Sequence, residues 1–92
     1  MPKLKAAAVA AALKSVPAWK KKGGEISRTC QFKDFAGALK FVNAVARAAQ
    51  KADHHPDIDI RWNQVTLTLS THSAGGLTEK DFALAKVCDG LV

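Results

Sequence analysis

From Asp57 to Ser70 the chain alternates between apolar and polar residues with a period of two. Ile58, Ile60 and Trp62 share one face of the first run, and Asp57, Asp59 and Arg61 share the other. Asn63-Gln64 reads as a turn, after which Val65, Leu67 and Leu69 alternate with Thr66, Thr68 and Ser70. Successive side chains of a strand point to opposite faces, so this pattern predicts a hairpin with one apolar and one polar face. A lone hairpin is marginal in water; its apolar face requires a second layer.

The rest of the chain supplies that layer. Trp19 to Lys22, Gly23-Gly24 and Glu25 to Phe32 predict another hairpin, since paired glycines tolerate the positive φ angles of a tight turn. Ile26, Arg28, Cys30 and Phe32 share one face of its second strand, opposite Glu25, Ser27, Thr29 and Gln31. Lys33 to Ala52 reads as the strongest helix. Phe35, Leu39, Val42, Ala46 and Ala49 form one apolar row, and Ala38, Phe41, Val45 and Ala48 form a second beside it. Asp34 suits its N-terminus. Lys3 to Ser15 is an alanine-rich helix stopped before Pro17. Thr78 with Asp81 three residues later marks the start of a last helix, carried by Phe82, Ala85 and Cys88 and ended by Gly90. The expected fold is α+β: a two-layer sandwich of a four-stranded antiparallel sheet with three helices on one face. Its order is α-β-β-α-β-β-α, in a single domain over residues 1–92.

Composition narrows the function classes. The chain carries a formal charge of +6, which raises nucleic-acid binding at once. All of the excess lies before Lys33, where seven basic residues face Glu25 alone; the remainder is balanced, seven against seven. Lys20-Lys21-Lys22 has no interleaved aromatics and no nucleic-acid motif, so it reads as a solvated strand, and the reading argues against a nucleic-acid partner. No stretch approaches the ~20 apolar residues of a membrane span. Cys30 and Cys88 lie in no Cys-x-x-Cys pair and read as buried free thiols of a cytoplasmic protein.

Chemistry is left to the histidines. His54 and His55 close the central helix in the run Asp53-His54-His55-Pro56, and His72 follows the fourth strand. The last two strands form a hairpin, so the start of one lies near the end of the other, and His72 comes near His54 and His55. Asp81 follows the same loop and can reach the same place. Imidazole titrates near neutrality, so such a cluster suits proton transfer. A zinc site is the competing reading. Adjacent histidines tend to point apart and no cysteine is close in sequence, so no metal is expected.

The run Asp53-His54-His55-Pro56, Trp62, Val65, Leu69-Ser70-Thr71-His72, Gly76-Leu77-Thr78 and Asp81 resembles the pterin-4a-carbinolamine dehydratases. Gln31-Phe32-Lys33-Asp34-Phe35 looks like that family too, and the likeness spans about Trp19 to Asp89. It implies the same α-β-β-α-β-β-α fold. It also implies dehydration of a 4a-hydroxytetrahydropterin to a quinonoid dihydropterin, with no cofactor. By that resemblance His54 and His72 are the acid–base pair, in either order. His55 binds and orients the pterin, and Asp81 orients or charge-tunes a histidine. Asp53, Pro56, Ser70, Thr71 and Ser73 complete the substrate-binding set. Trp19 or Trp62 is a candidate to pack on the pterin ring, although Trp62 continues the Ile58-Ile60 face and so reads first as core. Relatives often carry Glu-Lys four residues before the first histidine; Gln50-Lys51 stands here, so either Asp53 compensates for the missing carboxylate or His54 goes without one. A homodimer or homotetramer is expected, from the wide apolar helix, the small core and the family. The rival class is a non-enzymatic interaction module, because animal members of the family also act as dimerisation cofactors of a transcription factor.

Overall fold

Gly23 adopts a φ of +59°, the left-handed backbone that a tight turn needs and glycine accepts without strain. In the computed structural model, which describes residues 2–92, this turn joins β1 (Lys20–Lys22) to β2 (Glu25–Gln31). The remaining elements are α1 (Ala6–Leu13), α2 (Phe35–Ala52), β3 (Asp57–Arg61), β4 (Gln64–Leu69) and α3 (Glu79–Asp89), with a single 3-10 turn at His72–Ala74. The order is the predicted one. The four strands form one antiparallel sheet in the spatial order β1-β2-β4-β3. Among the described residues no helix is long and apolar enough to cross a membrane.

The pairing of β2 with β4 sets Ile26 opposite Leu69, Arg28 opposite Leu67 and Cys30 opposite Val65. These residues face the helical layer. Ile26, Val65, Leu67 and Leu69 are completely buried there, with Ala38, Phe41, Val45 and Ala49 of α2 and Phe82, Ala85 and Cys88 of α3. Each large aliphatic side chain so buried contributes about 1.5–3 kcal/mol. The opposite face is polar, where the Thr29 and Thr66 hydroxyls meet at 2.8 Å. Arg28 is tolerated on the core face because its Nη1 donates to Asp89 Oδ1 at 2.6 Å. The same carboxylate oxygen accepts from Trp19 Nε1 at 2.8 Å.

The structure refines one sequence expectation and corrects two. Of the two apolar rows of α2, the one containing Ala38, Phe41 and Val45 is buried, while Phe35 of the other remains about half exposed. Trp62 does not continue the core face: it is 70% exposed, with a φ of +52°, in the turn between β3 and β4. The turn is Trp62-Asn63 rather than Asn63-Gln64, because Asn63 is held by contacts outside the hairpin. Its Nδ2 donates to the Phe32 carbonyl at 2.9 Å and its own carbonyl accepts from Phe32 N–H at 2.8 Å. Ile58 and Ile60 face the helical side but lie on the edge strand, each 37% exposed.

Candidate active site

One end of the sheet gathers the end of α2, the start of β3, the end of β4, the β1–β2 turn and the start of α3. The antiparallel register dictates this, since Asp57 pairs with Thr68 and Ile26 with Leu69. His54 is set there by the end of α2. Asp53 takes a left-handed φ of 51°; its N–H donates to the Gln50 carbonyl and the N–H of His54 donates to the Ala49 carbonyl. This is a Schellman-type ending, with aspartate in the place glycine usually fills. Aspartate enters this backbone region more readily than most side chains. The Asp53 backbone thus turns the chain so that His54 leaves the helix axis.

Asp81 comes from the other side, in the first turn of α3. Its side chain is completely buried and each oxygen is engaged. Oδ2 accepts from the Thr78 backbone N–H at 2.9 Å, the return half of a capping box. Oδ2 also accepts from Thr71 Oγ1 at 2.8 Å. That bond uses the single hydroxyl proton of Thr71, so the 2.9 Å contact between the Thr71 and Thr78 hydroxyls has Thr78 as donor. Oδ1 lies 2.6 Å from Nε2 of His54, whose side chain is 11% exposed. The carboxylate is therefore fixed by two groups of its own loop and helix before it meets the imidazole. An ionised Asp81 accepts only, so the bond places a proton on Nε2 of His54 and leaves Nδ1 as the ring atom for other work.

His54, His55 and His72 line a cleft of about 330 Å³ with Asp53, Ser70, Thr71, Ser73 and Lys80. That volume lies in the range of small-molecule sites, about 300–1,000 Å³. His72 is exposed at the start of the 3-10 turn. His55 is exposed and its Nε2 lies 3.1 Å from Gln50 Oε1. Gln50 therefore meets His55 and not His54, and the carboxylate beside His54 is that of Asp81. Ser70 donates to the Gly24 carbonyl at 2.9 Å, tying the β1–β2 turn to the rim. Thr71 is buried in the cleft wall with its hydroxyl donated to Asp81, so this side chain supports the carboxylate. Ser73 is exposed on the rim, and Pro56, in the loop to β3, does not line the cleft.

Neither tryptophan meets the cleft. Trp19 is 3% exposed, with its indole bonded to Asp89. Trp62 lies at the far end of β3, a five-residue strand that spans about 17 Å. Lys80 is the lining residue that sequence reading missed; its place in the capping segment was visible, its approach to the histidines was not. Among the described residues no group of three or more His, Cys, Asp or Glu side chains is arranged to hold a metal.

A family model described as pterin 4 alpha carbinolamine dehydratase matches residues 2–91. A protein of Nocardia farcinica, provisionally named a pterin-4-alpha-carbinolamine dehydratase, is 57% identical over 83 residues, covering 90% of this chain and 87% of its own. One of Acidobacterium capsulatum with the same provisional name is 52% identical over 92 residues, covering both chains completely. The crystal structure of a transcriptional coactivator/pterin dehydratase from Brucella melitensis superposes with a TM-score of 0.93, at 35% identity over 97% of each chain. A pterin dehydratase-like protein identified as a RuBisCO assembly factor in the alpha-carboxysome shares the fold, with a TM-score of 0.65 over 79% of this chain and 84% of its own, at 24% identity.

Proposed function

Since the chain belongs to the pterin 4 alpha carbinolamine dehydratase family, we propose that it dehydrates a 4a-hydroxytetrahydropterin to the quinonoid dihydropterin. The reaction is a redox-neutral loss of water. An acid protonates the 4a oxygen as the C–O bond breaks, and a base removes a ring N–H proton as the new double bond forms. Each such contribution is typically worth about 10²–10⁴ in rate.

The observation that carries this reading is the His54–Asp81 pair at the wall of a cleft shared with His72. His54, with Nε2–H held by Asp81, offers the Nδ1 lone pair as base, and the carboxylate stabilises the positive charge the ring then acquires. His72 is the acid. His55, steadied by Gln50, binds and orients the pterin. Asp81 is a positioning residue, acting through His54. Ser70 and Ser73 give the rim its polar groups, while Asp53 and Pro56 shape the loop that carries the two histidines.

We assign the protein to the cytoplasm, in keeping with its two free buried thiols. We also infer self-association, because Ile58, Ile60 and Trp62 lie exposed on and beside an edge strand, an arrangement that favours pairing with a second copy. The decisive experiment is a dehydratase assay: purified protein must accelerate decay of 4a-hydroxytetrahydropterin above its spontaneous rate. Decay at the spontaneous rate refutes the assignment.

A further inference from the structure

The histidine cleft does not end at His72. Ser70 and His72 are shared with a second depression of about 550 Å³, whose other walls are Lys22, Glu25 and four glycines, Gly23, Gly24, Gly75 and Gly76. The same glycines floor a third depression of about 540 Å³, into which Lys3, Lys5 and Lys21 are brought. Ser70, His72 and the four glycines link the three depressions into a groove that leads from the histidines to lysines on both sides of the glycine turns.

The floor is built and fixed by the fold. The backbones of the two turns meet directly: a Cβ on Gly24 would lie 3.5 Å from Gly76 Cα. A Cβ on Gly76 would come within 2.8 Å of Lys3 Cδ, so the stem of Lys3 lies over that glycine. Ser70 ties Gly24 to the end of β4 at 2.9 Å, Thr71 N–H ties Gly76 at 2.9 Å, and Leu4 N–H ties the N-terminal segment to the Leu77 carbonyl at 2.8 Å. Four lysines face Glu25 alone along this groove. The charge excess of the first third, which the dehydration chemistry does not use, is in this way partly collected beside the site.

Pterin chemistry says what would enter. In the pterin ring C6 is separated from C4a by N5 alone, so a substituent on C6 starts two bonds from the reacting carbon and must leave the cleft close to the histidines. We propose, on the basis of the dehydratase reading, that the groove receives an anionic C6 substituent, a phosphate ester or a carboxylate, and that the lysines select reduced pterins carrying one.

The test compares dissociation constants, at low and at physiological salt, for 6-hydroxymethylpterin, its phosphate ester and pteroylglutamate, all binding to the full chain. One or both anionic pterins should bind about 5–10-fold tighter than the neutral one at low salt, the scale of one or two partly exposed ion pairs. Which of them gains distinguishes phosphate from carboxylate. The gain should shrink with salt. It should vanish in the combined Lys5→Gln, Lys21→Gln and Lys22→Gln variant, which should keep its affinity for 6-hydroxymethylpterin and its turnover of a neutral substrate. Equal affinities for all three pterins, or a gain that survives in the variant, overturns the proposal while leaving the dehydratase reading intact. Failure of every pterin to bind overturns both.

Discussion

Replacing Asp81 by asparagine should remove base catalysis while leaving a folded protein. The side chain keeps its volume, and its oxygen can still accept from Thr71 Oγ1 and Thr78 N–H, now at 2.8 and 2.9 Å. What changes is the group 2.6 Å from His54 Nε2, which becomes an amide donor. His54 must then present a lone pair at Nε2 and carry its proton on Nδ1, so the atom assigned to accept the substrate proton no longer can. Loss of one acid–base contribution predicts a fall in kcat of about 10²–10⁴. Exchanging charge-assisted bonds for neutral ones should cost about 1–2 kcal/mol, or a Tm lower by roughly 5–15 °C in a domain of this size. Asp81→Ala is less informative. It strands several buried donors at about 1–3 kcal/mol each, a large part of the total stability of about 5–15 kcal/mol of a small domain. The assay pairs stopped-flow dehydration with ¹⁵N spectra of the His54 ring, which read the tautomer directly. Unimpaired turnover, or a slow variant whose His54 proton still sits on Nε2, refutes the argument.

Further expectations follow from the same geometry. His54→Ala and His72→Ala should each lower kcat by about 10² or more, whereas His55→Ala should act mainly on KM, as steady-state kinetics of the three variants will separate. Asp53→Gly should preserve or slightly raise stability, while Asp53→Val, forced into a left-handed backbone, should lose about 1–2 kcal/mol in urea unfolding and displace His54. Burial pushes the Cys88 thiol up to about 11, with the charge of Asp89 adding to it, and burial also raises Cys30. A thiol ionises more readily in the unfolded chain, so the stability held by neutral thiols is whole below about pH 8.5 and is lost as pH rises through the folded-state value. The urea midpoint of the parent should therefore fall more steeply between pH 9 and about 11 than that of Cys88→Ala. Equal slopes would remove the thiol from that account.

Much of this protein is legible along the chain. Alternation around Val65, Leu67 and Leu69 sets strand and face together, because a period of two leaves one side to bury. The Gly23-Gly24 turn and the Thr78–Asp81 capping pair are local features, written in adjacent residues. So is the closeness of His54, His55 and His72, which follows once two strands form a hairpin. Other matters depended on residues distant in sequence. Trp62 continues the alternating pattern, yet Asn63 is claimed by Phe32, 31 residues away, and the tryptophan is turned out to solvent. Thr71 reads as a substrate contact, but its hydroxyl is taken by a carboxylate ten residues on. Gln50 stands where a carboxylate was expected to tune His54, and the fold brings that carboxylate from α3 instead. Periodicity determined the layers, since burial of a face is a property of neighbours along the chain. The partners of polar side chains that meet across elements were decided only by tertiary structure, since a hydrogen bond is settled within a few tenths of an ångström between groups that the sequence holds far apart.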